Sequence, residues 1–521
     1  MLEAKMKTNL FKKNQIVVAM VLAATSGSVM AQQCQTLVWS DEFNGTQLDT
    51  TKWETQIGDG CDIGLCGWGN NELQWYKAEN ATVANGVLSI TAKRERVRSK
   101  AYTSARLRTA NMPNGGQWTN GRFEARIKLP LGQGLWPAFW MLPTDPAEGW
   151  PISGEIDIME ATGQASMTAF GTIHYGEPYP NNAFQGNDIL WQPELLSDDF
   201  HVYAVEWEEN EIRWYLDDIL YSVKKPSDLA DPNWWTFENY QYHFLLNVAV
   251  GGSIGGTPDN AIFPSAMEVD YVRVYDMGQP SVDGPHIVAP GKSGTYTVID
   301  EDPNSTYAWS VPAGASMSGN GDSITVDFGT ATSGNVSVDV TNSCGTYSLN
   351  VPIFVEPVLP VETVLDDFNG TSNMTYTTFT GDFQVIDGEL VYTRDAGSQY
   401  DVIAATTAAI PAADAFLDGG KAFTIDIDNT DPALVGKEIL IQLENSGTAT
   451  SSNYPTGRHS KYEAHIEHAN GKQTLRFRLQ ERVDGLTKSG DVDTMVILIE
   501  PNTFDGSTYV MDNINILGTS N

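Results

Sequence analysis

From residue 35 to 276, apolar and polar positions alternate in short runs broken by Gly, Pro, Asn and Asp. The runs Gly86-Val87-Leu88-Ser89-Ile90-Thr91-Ala92, Gly121-Arg122-Phe123-Glu124-Ala125-Arg126-Ile127-Lys128-Leu129 and Glu211-Ile212-Arg213-Trp214-Tyr215-Leu216 carry it most clearly. Each puts apolar side chains on one face and polar ones on the other, as a strand with one wet face does. Long helical periodicity is missing. Many short strands with turn signals between them predict an all-β chain of antiparallel sandwiches.

The chain has 521 residues, too many for one ordinary core, so several domains are expected. Tryptophan marks the first boundary: thirteen of the fourteen precede residue 276, and Trp309 is the last. Residues 32–276 are therefore read as one domain. A Gly- and Pro-rich stretch, Met277 to Gly294, reads as a linker. Residues 285–356 alternate like a small Ig-like sandwich, with Gly334-Asn335-Val336-Ser337-Val338-Asp339-Val340 as a clear strand. Pro357 and Pro360 mark a second linker, and residues 363–521 read as a third sandwich.

The first 31 residues read as a signal peptide. Lysines 5, 7, 12 and 13 precede the apolar run Ile16 to Ala24, and Val29-Met30-Ala31 suits signal peptidase. The run is too short to span a bilayer comfortably, and no later stretch approaches twenty apolar residues. A secreted protein without a membrane anchor is expected, extracellular or periplasmic. Cys34 invites a lipoprotein reading, but Met30-Ala31-Gln32-Gln33 before it is a poor lipobox. The formal net charge of -35 disfavours nucleic acid and anionic lipid as partners. A monomer is expected. Cys61 and Cys66 are read as a disulfide, whereas Cys34 and Cys344 fall in different domains and are read as unpaired.

The chemistry concentrates in Gly154-Glu155-Ile156-Asp157-Ile158-Met159-Glu160-Ala161. On a regular strand Glu155 and Asp157 share a face and Glu160 points away. A bulge near Ile158-Met159 would return Glu160 to the first face. The two glutamate backbones would then stand roughly 13 Å apart. Side chains leaning together could narrow the carboxyl gap to the ~5–5.5 Å of a retaining glycosidase. One carboxylate would attack the anomeric carbon and one protonated carboxyl would serve the leaving oxygen. Taken alone, the run also fits three solvated acids on an exposed strand. Trp136-Pro137-Ala138-Phe139-Trp140 upstream and His174-Tyr175 downstream tip the balance, because indole faces stack on sugar rings.

Glu155-Ile156-Asp157-Ile158-Met159-Glu160 resembles the Glu-x-Asp-x-x-Glu signature of glycoside hydrolase family 16. Similar blocks run in the family's order from about Leu37 to Tyr275: Trp39-Ser40-Asp41-Glu42-Phe43, Asn70-Asn71-Glu72-Leu73-Gln74-Trp75-Tyr76, Ser104-Ala105-Arg106, Gly134 to Met141 and Asp270 to Tyr275. The resemblance implies a β-jelly-roll with a concave cleft. It also implies Glu155 as nucleophile, Asp157 as its partner and Glu160 as general acid/base. Trp136, Trp140, His174, Asn71 and Arg106 are implied as substrate contacts. The wider blocks look most like the laminarinases, which cut β-1,3-glucan. Mixed-linkage glucan, agar and carrageenan are the alternative substrates, and a non-hydrolytic glucan-binding protein the alternative class. No cofactor is expected for catalysis. A structural calcium ion is implied, with Glu42, Gly86 and Asp270 at the matching positions.

Residues 285–356 resemble PKD-type modules, and the third sandwich loosely resembles carbohydrate-binding modules. That third domain has no tryptophan, so sugar stacking there would fall to Tyr376, Tyr392, Tyr400, Tyr454 or Tyr462. Gly251 to Gly256 lacks the lysine and the strand-to-helix setting of a phosphate loop. His465 and His468 would face opposite ways on a strand, which argues against a metal site with Glu467.

Overall fold

A computed structural model describes residues 34–518, except 193, 277–278, 290, 301, 411, 418, 451–453, 455 and 502. The expected leader at 1–31 lies outside the described residues. The described chain is all-β, with short 3-10 turns and a single helical turn, Gly252–Gly255. Among the described residues no helix is long and apolar enough to cross a membrane.

Two sheets build the first domain as a sandwich. The inner sheet runs in the order Asn182–Leu190, Thr168–Gly176, Glu155–Glu160, Leu135–Pro143, Tyr242–Val250, Arg106–Arg108 and Glu54–Thr55. Alternation decides which side each residue takes. On Leu135–Pro143, Leu135, Phe139 and Met141 are fully buried, while Trp136 and Trp140 are half-buried on the opposite face. Phe244, Leu246, Val248 and Val250 of the neighbouring strand are likewise buried in the core. The inner sheet thus closes the core with one face and floors a cleft with the other.

The outer sheet contains Val87–Ala92, Ser265–Tyr275, Gly121–Lys128, His201–Glu208, Glu211–Leu216 and Ile219–Lys224 in that order. It does not stop there. Ser281–Asp283 adds in parallel, Val282 opposite Ile219, and carries the sheet into Ser293–Ile299, Ser323–Asp327 and Ser316–Ser318. Part of the stretch read as a linker is therefore a strand. The partner sheet of this small sandwich is Ile287–Val288, Gly345–Val355, Ser333–Asn342 and Thr306–Ser310. One buried apolar cluster runs through both units, from Phe43 to Ile353.

Both disulfides reinforce this arrangement. Cys61–Cys66 pairs as expected, with Cα atoms 4.0 Å apart. Cys34 and Cys344, read as unpaired, form the second bridge at a Cα separation of 5.3 Å. The error came from assigning them to separate domains: the continued sheet brings the start of the chain and the small sandwich together. Trp191 of the first domain also stacks on His286 of the second, ring centres 5.5 Å apart.

The third sandwich has its own core, including Phe423, Ile441, Met495 and Ile514. Its eleven-stranded sheet rolls over where Arg458–His465 pairs with Gly471–Glu481. Tyr392 and Tyr462, offered as stacking residues, are buried core residues, and Tyr376 gives its hydroxyl to Asp366. Tyr400 and Tyr454 are exposed.

Candidate active site

The strand Glu155–Glu160 carries the predicted bulge. Asp157 lies opposite Trp140 and Met159 opposite Phe139, so one extra residue is absorbed between them. The other neighbour shows the same break, Asp157 facing Thr172 and Glu160 facing Phe170. Ile156, Ile158 and Met159 are fully buried in the core, which leaves the three acids on the cleft side. Trp214 Nε1 donates to the Asp157 carbonyl at 2.8 Å and ties the strand to the outer sheet at that point.

Each glutamate has its own indole. Trp150 Nε1 donates to Glu155 Oε2 at 2.8 Å, and Trp136 Nε1 donates to Glu160 Oε1 at 2.8 Å. His174 Nε2 lies 3.3 Å from Asp157 Oδ2 and 3.9 Å from Glu155 Oε1. Burial pushes Glu160 up from the usual carboxylate range, and the negative charge of Glu155 adds to the rise. Burial also raises Asp157, followed by the charges of Glu155 and Glu160. Burial disfavours a charged His174, but its contact with Asp157 and the nearby glutamates outweigh this and lift it to about 9. His174 therefore holds a proton at neutral pH that an isolated imidazole would mostly have lost. Glu155, Asp157 and His174 also bring possible ligand atoms within 4.8 Å of one another.

Trp140 Nε1 donates to Asn247 Oδ1 at 2.8 Å, which fixes its ring in the cleft. Arg106, almost fully buried, stacks between two indoles, 4.6 Å from the Trp140 ring centre and 4.5 Å from that of Trp68. Gln56 accepts from its Nε at 2.6 Å. Asn71 is exposed at a turn with φ of 59°. Glu72 beside it is buried and accepts from Gln74 and Tyr76. The glycine turn at 251–256 explains itself here. Gly252 has φ of +80° and a Cβ on it would sit 3.1 Å from the Trp136 ring, so the turn seats that indole.

Sequence reasoning missed Trp150, Trp68, Phe184 and Asn247. Phe184 is exposed beside His174, ring centres 5.7 Å apart. A signal existed for Trp68, which follows the Cys61–Cys66 loop directly. Trp150 stands only five residues before Glu155, yet nothing in a strand pattern folds a preceding loop back over it.

The positions matched to calcium fare differently. Glu42 is held by Arg273 at 2.8 and 3.0 Å, and Asp270 by Arg126 at 2.8 Å. Both carboxylates thus face a guanidinium in this arrangement, which leaves backbone oxygens as the donors a calcium ion would need there. His465, Glu467 and His468 form no ligand cluster among the described residues; Glu467 pairs with Lys292.

Known proteins resemble the first two domains in sequence. The family model described as "Beta-porphyranase A-D, GH16 domain" matches residues 36–277, and a "PKD-like domain" matches residues 277–353. The chain is 44% identical over 252 residues to a protein of Rhodothermus marinus named "Beta-glucanase", covering 46% of this chain and 84% of that one. It is 40% identical over 263 residues to "Glucan endo-1,3-beta-glucosidase A1" of Niallia circulans, covering 46% of this chain but 37% of that protein. Among solved structures, the laminarinase catalytic domain of Thermotoga maritima MSB8 is 41% identical, with 47% of this chain and all of that domain covered and a TM-score of 0.44.

Proposed function

The chain belongs to glycoside hydrolase family 16, and on that footing we propose that it is a secreted, retaining endo-β-1,3-glucanase acting on laminarin-like polysaccharides. The observation that carries the mechanism is the bulge, which lines up Glu155, Asp157 and Glu160 along one face of a strand with separate partners. Glu155 attacks the anomeric carbon. Glu160 gives its proton to the departing glycosidic oxygen. When Glu155 becomes an ester its charge disappears, and with it one of the causes that raise Glu160. Glu160 is then a better-matched base for the incoming water. Asp157, raised by burial and then by the charges of both glutamates, steadies the charge of Glu155, and His174 supplies a nearby positive charge. Trp136 and Trp140 hold sugar rings, and Arg106 stiffens Trp140 from behind.

The relatives named as glucanases favour β-glucan as substrate. A sulfated galactan is the second reading, favoured by the description of the matching family model. Sulfate groups call for accessible cations, whereas the cleft's arginine at 106 is 8% exposed and packed between indoles. That supports the neutral glucan.

The test is to incubate the mature protein with laminarin, barley β-glucan, agarose, κ-carrageenan and porphyran, and to follow the products by NMR from the first minutes. Short β-1,3-oligosaccharides released from laminarin as the β-anomer are expected. Products from agarose or porphyran alone would overturn the substrate, and α-anomers first would overturn the retaining mechanism.

A further inference from the structure

Beyond Glu160 the cleft opens into a cavity of about 440 Å³, within the ~300–1,000 Å³ range of pockets that enclose small ligands. Glu160, Phe184, Asn187 and Asp188 of the first domain line it, and Tyr454 and Val483 of the third sandwich line it from across. Glu155 lies outside it. The third sandwich is docked here and not merely tethered. Thr168 Oγ1 donates to the Gln480 carbonyl at 2.9 Å, and Gln133 Nε2 donates to Asp484 Oδ1 at 3.3 Å. Met167 packs against the third sandwich's own core. From the other side Arg478 holds Glu356 at 3.2 Å, and Arg476 donates to the Pro357 carbonyl at 3.0 Å.

The chemistry fixes what enters this cavity. The attacking carboxylate lies outside the cavity and the proton donor lines it, so the space past the donor receives the part of the chain that leaves. We propose that the third sandwich completes the leaving-group end of the cleft. Tyr454, with Phe184 opposite, forms a binding site for neutral sugar rings of the departing chain. Tyr454 and Phe184 are 60% and 67% exposed aromatic rings; Arg458 stands over the Tyr454 ring 5.5 Å from its centre and His174 lies beside Phe184. Among the described residues the charged side chains of the lining are the acids Glu160 and Asp188, with Arg458 set over the Tyr454 ring, and the two acids disfavour sulfated rings. The proposal rests on the assignment of Glu160 as acid/base.

Its test compares two leaving groups in the full chain. Laminarin places sugar rings past Glu160, whereas an aryl β-laminaribioside places only a phenol there. For Tyr454→Ala, the kcat/KM on laminarin relative to the aryl glycoside is expected to fall about five- to tenfold, mainly through KM, as expected for one lost stacking contact. Gln133→Glu, which sets two carboxylates against each other at the docking contact and leaves Tyr454 intact, is expected to lower the same ratio. An unchanged ratio in both variants overturns the proposal, as does an equal loss on both substrates. If the wild type cleaves agarose or porphyran and not laminarin, the glucanase reading fails by itself. The same ratio, taken with that polysaccharide and its matching aryl glycoside, then decides the proposal. No cleavage of any of these counts against both.

Discussion

The two sheets of the first domain each bury a cluster of acids, and the clusters are built on opposite plans. On the outer sheet Arg122, 1% exposed, meets Glu124 at 2.9 Å, Glu206 at 3.2 Å and Asp218 at 2.9 Å. Arg213 adds contacts to Glu206 at 3.1 Å and Glu208 at 2.6 Å. On the inner sheet Glu155, Asp157 and Glu160 meet indole N–H groups, a histidine and one another. Among the described residues no arginine forms an ion pair with them, and Arg106 interacts with Glu155 only through space. Guanidinium partners compensate the charge of a buried acid in place, and such pairs hold strands together. Burial raises Asp157 and Glu160, which have no guanidinium partner of this kind. The same residue types thus meet opposite partners on the two sheets, which supports a scaffold role on one and the proposed chemistry on the other.

Exchanging the loss between the two clusters is the strongest way to break this contrast. Glu155→Gln is expected to lower kcat by about 10,000-fold or more while the urea unfolding midpoint stays put. Arg122→Met is expected to do the opposite. It leaves three acids without their buried partner, at a cost of about 3–5 kcal/mol in urea unfolding, with kcat at low temperature little changed. A large activity loss in Arg122→Met with unchanged stability would erase the distinction.

Smaller effects sharpen it. Trp136→Phe keeps a ring in the cleft but removes the N–H that lowers Glu160. The pKa of Glu160 should then rise, and the alkaline limb of kcat/KM should move to higher pH with kcat down about tenfold. A limb that moves to lower pH would contradict the role given to that indole. The smallest effect belongs to a third cluster, at the seam between domains. Burial, then the charges of Asp188 and Glu438, raise Glu463 to about 7. A raised acid keeps its proton in the folded chain after the unfolded chain has lost it, so stability falls as pH rises from about 4.5 to 7. Glu463→Gln should flatten that fall and add about 1–2 kcal/mol at pH 8, measured as a higher midpoint of thermal unfolding. A variant less stable than the wild type at pH 8 would refute it.

Much of the inner sheet was legible in the sequence because its determinants are local. Alternation assigns Trp136 and Trp140 to one face, and the spacing from Asp157 to Glu160 demands a bulge if the three acids are to act together. Cys344 could not be matched to Cys34 by the same means, since their meeting depends on Val282 pairing with Ile219, a contact absent from any short window. Tyr392 and Tyr462 were misread as surface for a related reason: period-two patterning gives two faces but does not say which one a second sheet covers. The guanidinium partners of Glu42 and Asp270, Arg273 and Arg126, were equally hidden, because cross-strand partners are invisible in one strand's sequence. Tyr454 facing the cleft was equally out of reach, because it depends on how two whole domains dock.

The central claim is the division of labour between Glu155 and Glu160, and azide rescue tests it most directly. Glu155→Ala and Glu160→Ala would each be given an activated aryl β-laminaribioside with sodium azide, and the glycosyl azide formed would be identified by NMR. In Glu155→Ala, azide occupies the nucleophile's space and should yield the α-glycosyl azide. In Glu160→Ala, azide attacks the covalent intermediate on Glu155 and should yield the β-glycosyl azide. The two products exchanged between the variants would contradict the assignment.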